Sequence, residues 1–117
     1  MADLQTVHRD ARTHVPPSAV VWIGGHQAIV ARMGYDGIVS TCQIDRGAEP
    51  ELAYLALVGR AIGSRERVLI MGPDAMRLAL EREYVTTYRR PDRLVDVEPA
   101  RVMDRGLVVE RLLELAN

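Results

Sequence analysis

The sequence predicts an α/β fold in which a mixed sheet carries helices on both faces. Two observations predict it. Residues 19–44 hold three strand-like runs separated by glycine-marked turns, the pattern of an antiparallel meander. Residues 67–115 then alternate strand-like with helix-like segments, which implies parallel strands joined by crossovers. The order is β-β-β-α-β-α-β-α, a mixture that buries itself by packing helices against a sheet. A chain of 117 residues makes one domain of this kind and not two.

Residues 1–17 are polar, carry His8, Arg9, Arg12 and His14, and end in Pro16-Pro17. They have no apolar face to bury and read as a flexible arm, which leaves residues 18–117 as the domain. Ala19-Val20-Val21-Trp22-Ile23 is β-branched and aromatic, as strands prefer, and Gly24-Gly25 ends it. Gln27 to Met33 alternates, with Ala28 and Val30 on one face and Ile29, Ala31 and Met33 on the other. A glycine pair between two such runs signals a tight hairpin, because glycine accepts positive φ. Gly34-Tyr35-Asp36-Gly37 makes a second turn before a third strand, Ile38 to Ile44.

The period then changes to that of a helix. Leu52, Leu55, Val58 and Ile62 form one stripe, with Leu57 beside it. Glu49, Pro50 and Glu51 suit its start, and Arg60 and Gly63 suit its end. Arg67-Val68-Leu69-Ile70-Met71 is continuously apolar after its first residue, as a strand covered on both faces must be. Pro73 fits the first turn of a helix that Ala75, Met76, Leu78, Ala79 and Leu80 carry to about Tyr84. Residues 85–92 are polar and turn-like, Arg93 to Val97 is a short strand, and Asp104 caps a last helix with Val108, Leu112 and Leu115 on its stripe.

Composition narrows the function classes. The chain is 48% hydrophobic and 26% charged, which a disordered chain is not. Fifteen basic residues, all arginine, face sixteen acids, so the chain is not a polycation that coats nucleic acid. The arginine bias has two readings: phosphate recognition, for which the guanidinium fork suits better than lysine, or a GC-rich genome. Cys42 is the only cysteine, so no intrachain disulfide forms, and no cofactor or metal motif is present. Cys42 reads as a buried structural thiol and Trp22 as core. No apolar run reaches the ~18–20 residues that span a membrane, and no signal-peptide core is visible, so a cytoplasmic protein is expected.

Val20-Val21-Trp22-Ile23, the two strands after it, and Val68-Leu69-Ile70-Met71-Gly72-Pro73-Asp74-Ala75 resemble a known family. It comprises small bacterial proteins related to the C-terminal domain of the archaeal and eukaryotic peptide-chain release factor and of Pelota. Members open with a strand reading roughly V-V-W-I-D-H-x-x-A and later carry I-L-I-x-G-P-G-x-A-K entering a helix. Residues 19–116 take part in the resemblance. Gly24-Gly25 stands where the family often has Asp-His, and Met76, followed by Arg77, stands where it often has lysine. The resemblance implies a three-layer α/β/α sandwich and a role near the ribosome or RNA. It does not imply catalysis, because in the release factor a different domain promotes hydrolysis.

Two groups of residues are candidate sites. Tyr88, Arg89, Arg90 and Arg93 form the densest basic stretch, where guanidinium groups would grip phosphates while the ring stacks a base. The bland reading is a solvated loop with local ion pairs, since six acids accompany seven arginines between Arg77 and Arg105. Arg60 and Arg65 serve as the contrast, expected to be dispensable for binding. The second group is His26, Gln27, Gly72 and Asp74, at a hairpin tip and at a strand-to-helix junction where ligands often bind. The Gly-x4-Gly-Lys-Ser/Thr phosphate loop is absent, and both features also serve as plain connections. Gly24-Gly25-His26-Gln27 resembles an interrupted form of the Gly-Gly-Gln tripeptide of release factors, which lies on a different domain there.

The expected function is a non-catalytic binding module with the ribosome or structured RNA as partner. The alternative is a protein-interaction or self-assembling domain, for example a homodimer, without a nucleic-acid role. An enzyme such as a hydrolase is the third reading, with His26 as its best candidate residue.

Overall fold

The structure, a computed structural model, describes residues 16–89, 91–99 and 104–116. Its elements are β1 (Ser18–Ile23), β2 (Gln27–Met33), β3 (Val39–Asp45), α1 (Glu51–Ile62), β4 (Arg67–Gly72), α2 (Asp74–Tyr88), a single 3-10 turn (Pro91–Arg93), β5 (Leu94–Pro99) and α3 (Arg105–Ala116). The five strands form one sheet in the order β3-β2-β1-β4-β5. β1 pairs antiparallel with β2, and β2 with β3, while β4 runs parallel to both β1 and β5. The predicted mixed sheet is therefore present.

Alternation along the central strands splits the core into two layers. Ala19, Val21, Ile23, Ala28, Val30, Val68 and Ile70 meet Tyr54, Leu55, Val58 and Ile62 of α1 and Met76, Leu80 and Tyr84 of α2. Val20, Trp22, Ile29, Ala31, Met33, Leu69 and Met71 turn the other way, against Val108 and Leu112 of α3. Two helices on one face and one on the other make the expected three-layer sandwich. β1 and β4 are buried on both faces, which explains why β4 reads as an unbroken apolar run. Cys42 lies in β3, half-buried against the α1 side, and Trp22 lies in the core.

Several local expectations need correction. Leu52 is 70% exposed, and Tyr54 takes its place on the buried stripe of α1. The Tyr54 ring can be buried because its hydroxyl has a partner, Gly24 O. Leu78 is likewise exposed. Pro73 caps α2 from outside instead of occupying its first turn. α2 continues to Tyr88, because Tyr84 and Tyr88 both pack inward and override the polar composition of residues 85–88. The last strand begins at Leu94 and reaches Pro99. The Gly24-Gly25 hairpin forms, but neither glycine has positive φ. Gly24 is needed because a Cβ there would sit 2.7 Å from the Trp22 ring, and Gly25 has open space around it.

Two expectations on local chemistry hold in detail. Asp104 caps α3, its Oδ1 accepting from the Leu107 N–H at 2.9 Å. Gly37 closes the β2–β3 turn at φ 77°, its N–H donating to Gly34 O at 3.0 Å.

Candidate functional site

β1, β3, β4 and β5 point the same way, so their carboxyl ends share one end of the sandwich. The β1–β2 hairpin lies there, and so do the starts of α1, α2 and α3. His26, Gln27, Gly72 and Asp74 belong to this end. Tyr88, Arg89 and Arg93 belong to the opposite end, where the helices finish. The two candidate groups are thus separated by the length of the sheet. Arg90 and the side chain of Asp74 lie outside the described residues.

At the carboxyl end the glycines serve close packing. Gly24 N–H donates to Gln27 O at 2.9 Å and closes the hairpin. The Tyr54 hydroxyl donates to Gly24 O at 2.8 Å from a fully buried ring. The Arg46 guanidinium stands 5.7 Å from the centre of that ring and donates to Gly25 O at 3.4 Å. Burial pushes the Tyr54 hydroxyl up to about 12, against the pull of Arg46, so it remains a donor at any physiological pH. Gly72 has φ 142°, and a Cβ there would lie 2.3 Å from Ile23 O. Only glycine lets β4 turn against the end of β1. The Gln27 side chain accepts from Gln43 Nε2 at 2.9 Å, while His26 is exposed at the tip.

At the opposite end, arginines from separate segments gather around the last turns of α1 and α2. Arg89 ends α2 in the left-handed region, φ 55°, the one described residue other than glycine with positive φ. That conformation costs an L-residue ~1–2 kcal/mol and usually belongs to glycine at a helix end. The Arg93 guanidinium donates to Ser64 Oγ, in the loop after α1. Arg65 Nε donates to Ile62 O at 3.0 Å. The charges of Arg93 and Arg65 both act on the Tyr84 hydroxyl, which burial nevertheless pushes up. Arg60 and Arg65 therefore share this end with Arg93, so they are not the remote contrast that sequence distance suggests.

Between α1 and α2 lies a groove of about 360 Å³. Leu55, Ala56, Gly59, Tyr84 and Tyr88 line it, and Arg60, Glu83 and Thr87 complete its wall. The Tyr84 and Tyr88 rings stand 4.7 Å apart, and their hydroxyls donate to Gly63 O at 3.1 Å and Gly59 O at 3.3 Å. Sequence reasoning missed this groove because Thr87 and Tyr88 were read as a turn. The signal that would have found it is the i, i+4 spacing of the two tyrosines.

Among the described residues, no group of three or more His, Cys, Asp or Glu side chains is placed to hold a metal, and no helix is long and apolar enough to cross a membrane.

No protein-family model matches the sequence, and no curated protein matches it. Solved structures do. Pelota from Archaeoglobus fulgidus superposes with a TM-score of 0.66 at 14% identity, over 98% of this chain and 37% of that one. Pelota from Thermoplasma acidophilum gives 0.63 at 17% identity, over 96% of this chain and again 37% of that one. This chain thus spans little more than a third of the length of these Pelota proteins, and what it shares with them is the fold, as the resemblance to the Pelota C-terminal domain implied.

Proposed function

We propose that the chain is a non-catalytic binding module associated with translation, and that it meets ribosomal or other structured RNA through the end of the sandwich that carries Tyr88, Arg89 and Arg93, with Arg90, which lies outside the described residues, as a further expected contact. The release-factor and Pelota resemblance supports the setting, and the shared fold is compatible with it. The observation that carries the choice of surface is the convergence of Arg60, Arg89 and Arg93 from three separate segments beside Tyr88. The side chains of Arg89 and Arg60 make no hydrogen bond or ion pair with other described residues. An arginine held in a conformation that favours glycine, with no partner for its guanidinium among the described residues, has the character of a residue kept for contact.

The experiment is co-sedimentation with ribosomes and binding to structured RNA across a salt series. Each phosphate contact adds ~0.7–0.9 to the slope of log affinity against log salt. Arg89→Gln with Arg93→Gln should therefore lower the slope by ~1.4–1.8 and weaken binding at every salt. Arg105→Gln, at the far end, is the control and should change nothing. Salt-insensitive binding, or binding lost equally in the Arg105 control, would overturn the reading.

A second reading, a self-assembling domain without a nucleic-acid role, is favoured by one separate observation, the open edge of β3.

A further inference from the structure

Among the described residues the sheet has two edges, β3 and β5. β5 ends in Pro99 and pairs with β4 through a register shift between Val68 and Leu69. Proline and bulges are the devices by which edges resist strand addition. β3 has neither. Its register with β2 runs from Gln27↔Asp45 to Met33↔Val39 without a slip. Its seven residues, VSTCQID, hold one charge, at the terminal Asp45.

The ladder also fixes which backbone groups face outward. Arg46 N–H donates to His26 O at 2.8 Å, so these two residues form a hydrogen-bonded pair. Such pairs alternate along an antiparallel ladder. Ser40, Cys42 and Ile44 therefore turn their N–H and C=O groups toward β2. Val39, Thr41, Gln43 and Asp45 turn theirs to the open side, where the described residues supply no further strand.

We propose that a second copy of this chain occupies this edge. β3 pairs antiparallel with β3 of the second copy about a two-fold axis at Cys42, joining two five-stranded sheets into one. This register sets Thr41 opposite Gln43 and Val39 opposite Asp45, so every outward group of the strand gains a partner. Any other two-fold register along β3 shortens the overlap. Cys42 then faces its own counterpart in a non-hydrogen-bonded pair, with Cα atoms ~4.5 Å apart, inside the ~4.4–6.8 Å that a disulfide spans.

The layer above β3 fits the same occupant. α1 lies over β1, β2 and β3, and α2 over β4 and β5. Leu55, Ala56 and Gly59 turn toward α2, so at 100° per residue Ala53, Leu57 and Ala61 form the flank toward the β3 edge. Leu57 is 37% exposed there, and Cys42 and Ile44 beneath it are only half-buried. Among the described residues the core is unfinished along this edge, and a second copy would complete it.

Light scattering on the eluting full chain should give twice the 13.0 kDa of one copy. Diamide should join Cys42 to Cys42 of the second copy at low protein concentration. Each thiol gives up one proton and one electron, and diamide takes up the pair as the hydrazine. Cys42→Ser should remain dimeric but not cross-link. Thr41→Pro removes an outward N–H and leaves the β2 ladder intact, so it should halve the mass with unchanged circular dichroism. Thr41→Lys with Gln43→Lys, which places like charges opposite each other, should do the same if the proline variant fails to fold. A monomer at every concentration, a dimer that diamide does not cross-link, or a folded edge variant that stays dimeric would overturn the proposal. Loss of RNA binding with the dimer intact would instead overturn the RNA reading alone.

Discussion

Tyr54→Phe removes a single oxygen and tests how the β1–β2 hairpin is held. The Tyr54 ring is fully buried, and its hydroxyl donates to Gly24 O at 2.8 Å. Phenylalanine keeps the ring and leaves a buried carbonyl without that donor, at a cost of about 1–3 kcal/mol. For 117 residues the unfolding entropy is about 0.25 kcal/mol per kelvin, so Tm should fall by roughly 4–12 °C. The pH dependence gives a second, sharper measurement. The hydroxyl is raised from 10.0 to about 12 in the folded chain, chiefly by burial. A raised pKa contributes stability that is fully present below pH 10 and lost as pH climbs through 12. Two units correspond to about 2–3 kcal/mol, the cost of ionising a buried hydroxyl and separate from the loss of its hydrogen bond. The sequence has no lysine, and arginine titrates above ~12, so tyrosines dominate the alkaline limb in this window. Urea denaturation followed by far-UV circular dichroism from pH 8 to 12 would measure it. The wild type should lose its advantage over Tyr54→Phe between pH 10 and 12. Equal stability at pH 8, or parallel alkaline limbs, would refute the reasoning.

Gly72→Ala should be far more damaging than its size suggests, because the added Cβ meets Ile23 O at 2.3 Å and φ is 142°. A loss of more than about 4 kcal/mol, or failure to fold, is expected in a thermal melt. Gly25→Ala, in open space three residues along from Trp22, should cost little in the same assay. Asp104→Ala removes the side-chain acceptor from Leu107 N–H and should cost about 1 kcal/mol, read as a drop in Tm of roughly 4 °C.

The strands were legible because burial on one or both faces writes itself directly into residue type. Val68 to Met71 is apolar throughout because helices cover both sides of β4, and β2 alternates between two different cores. The helices were legible in place but not in extent. The stripe of α1 was misread at its first member, Leu52 in place of Tyr54, since a buried tyrosine with a backbone partner looks polar in a hydrophobicity pattern. α2 lost its last turn for the same reason, and with it the groove. The candidate site was the least legible part. Which end of a sandwich a loop occupies depends on strand direction, and nothing local in residues 60–65 says that they finish beside residues 89–93.

The arginines show how far composition carries a functional argument. Several are committed to the fold. Arg32 donates to Ala61 O at 3.1 Å and Arg65 to Ile62 O at 3.0 Å, both at the end of α1. Arg67 donates to Leu115 O at 3.0 Å at the end of α3, and Arg46 to Glu49 O at 2.9 Å before α1. The last carbonyls of α1 and α3 lack intrahelical partners, and Arg32, Arg65 and Arg67 also meet the negative end of a dipole there, whereas Arg46 only ties down the loop before α1. A long, multiply donating side chain satisfies both demands from a distance that serine or asparagine cannot reach. Part of the arginine count therefore has a structural use that composition cannot separate from RNA binding. What separates them is geometry: the capping arginines reach inward to backbone oxygens, whereas the side chains of Arg60 and Arg89 stay exposed with no partner among the described residues. Replacing Arg67 should lower Tm and leave RNA affinity unchanged, whereas replacing Arg89 should do the reverse. If both substitutions shift the same quantity, the division between structural and contact arginines is wrong.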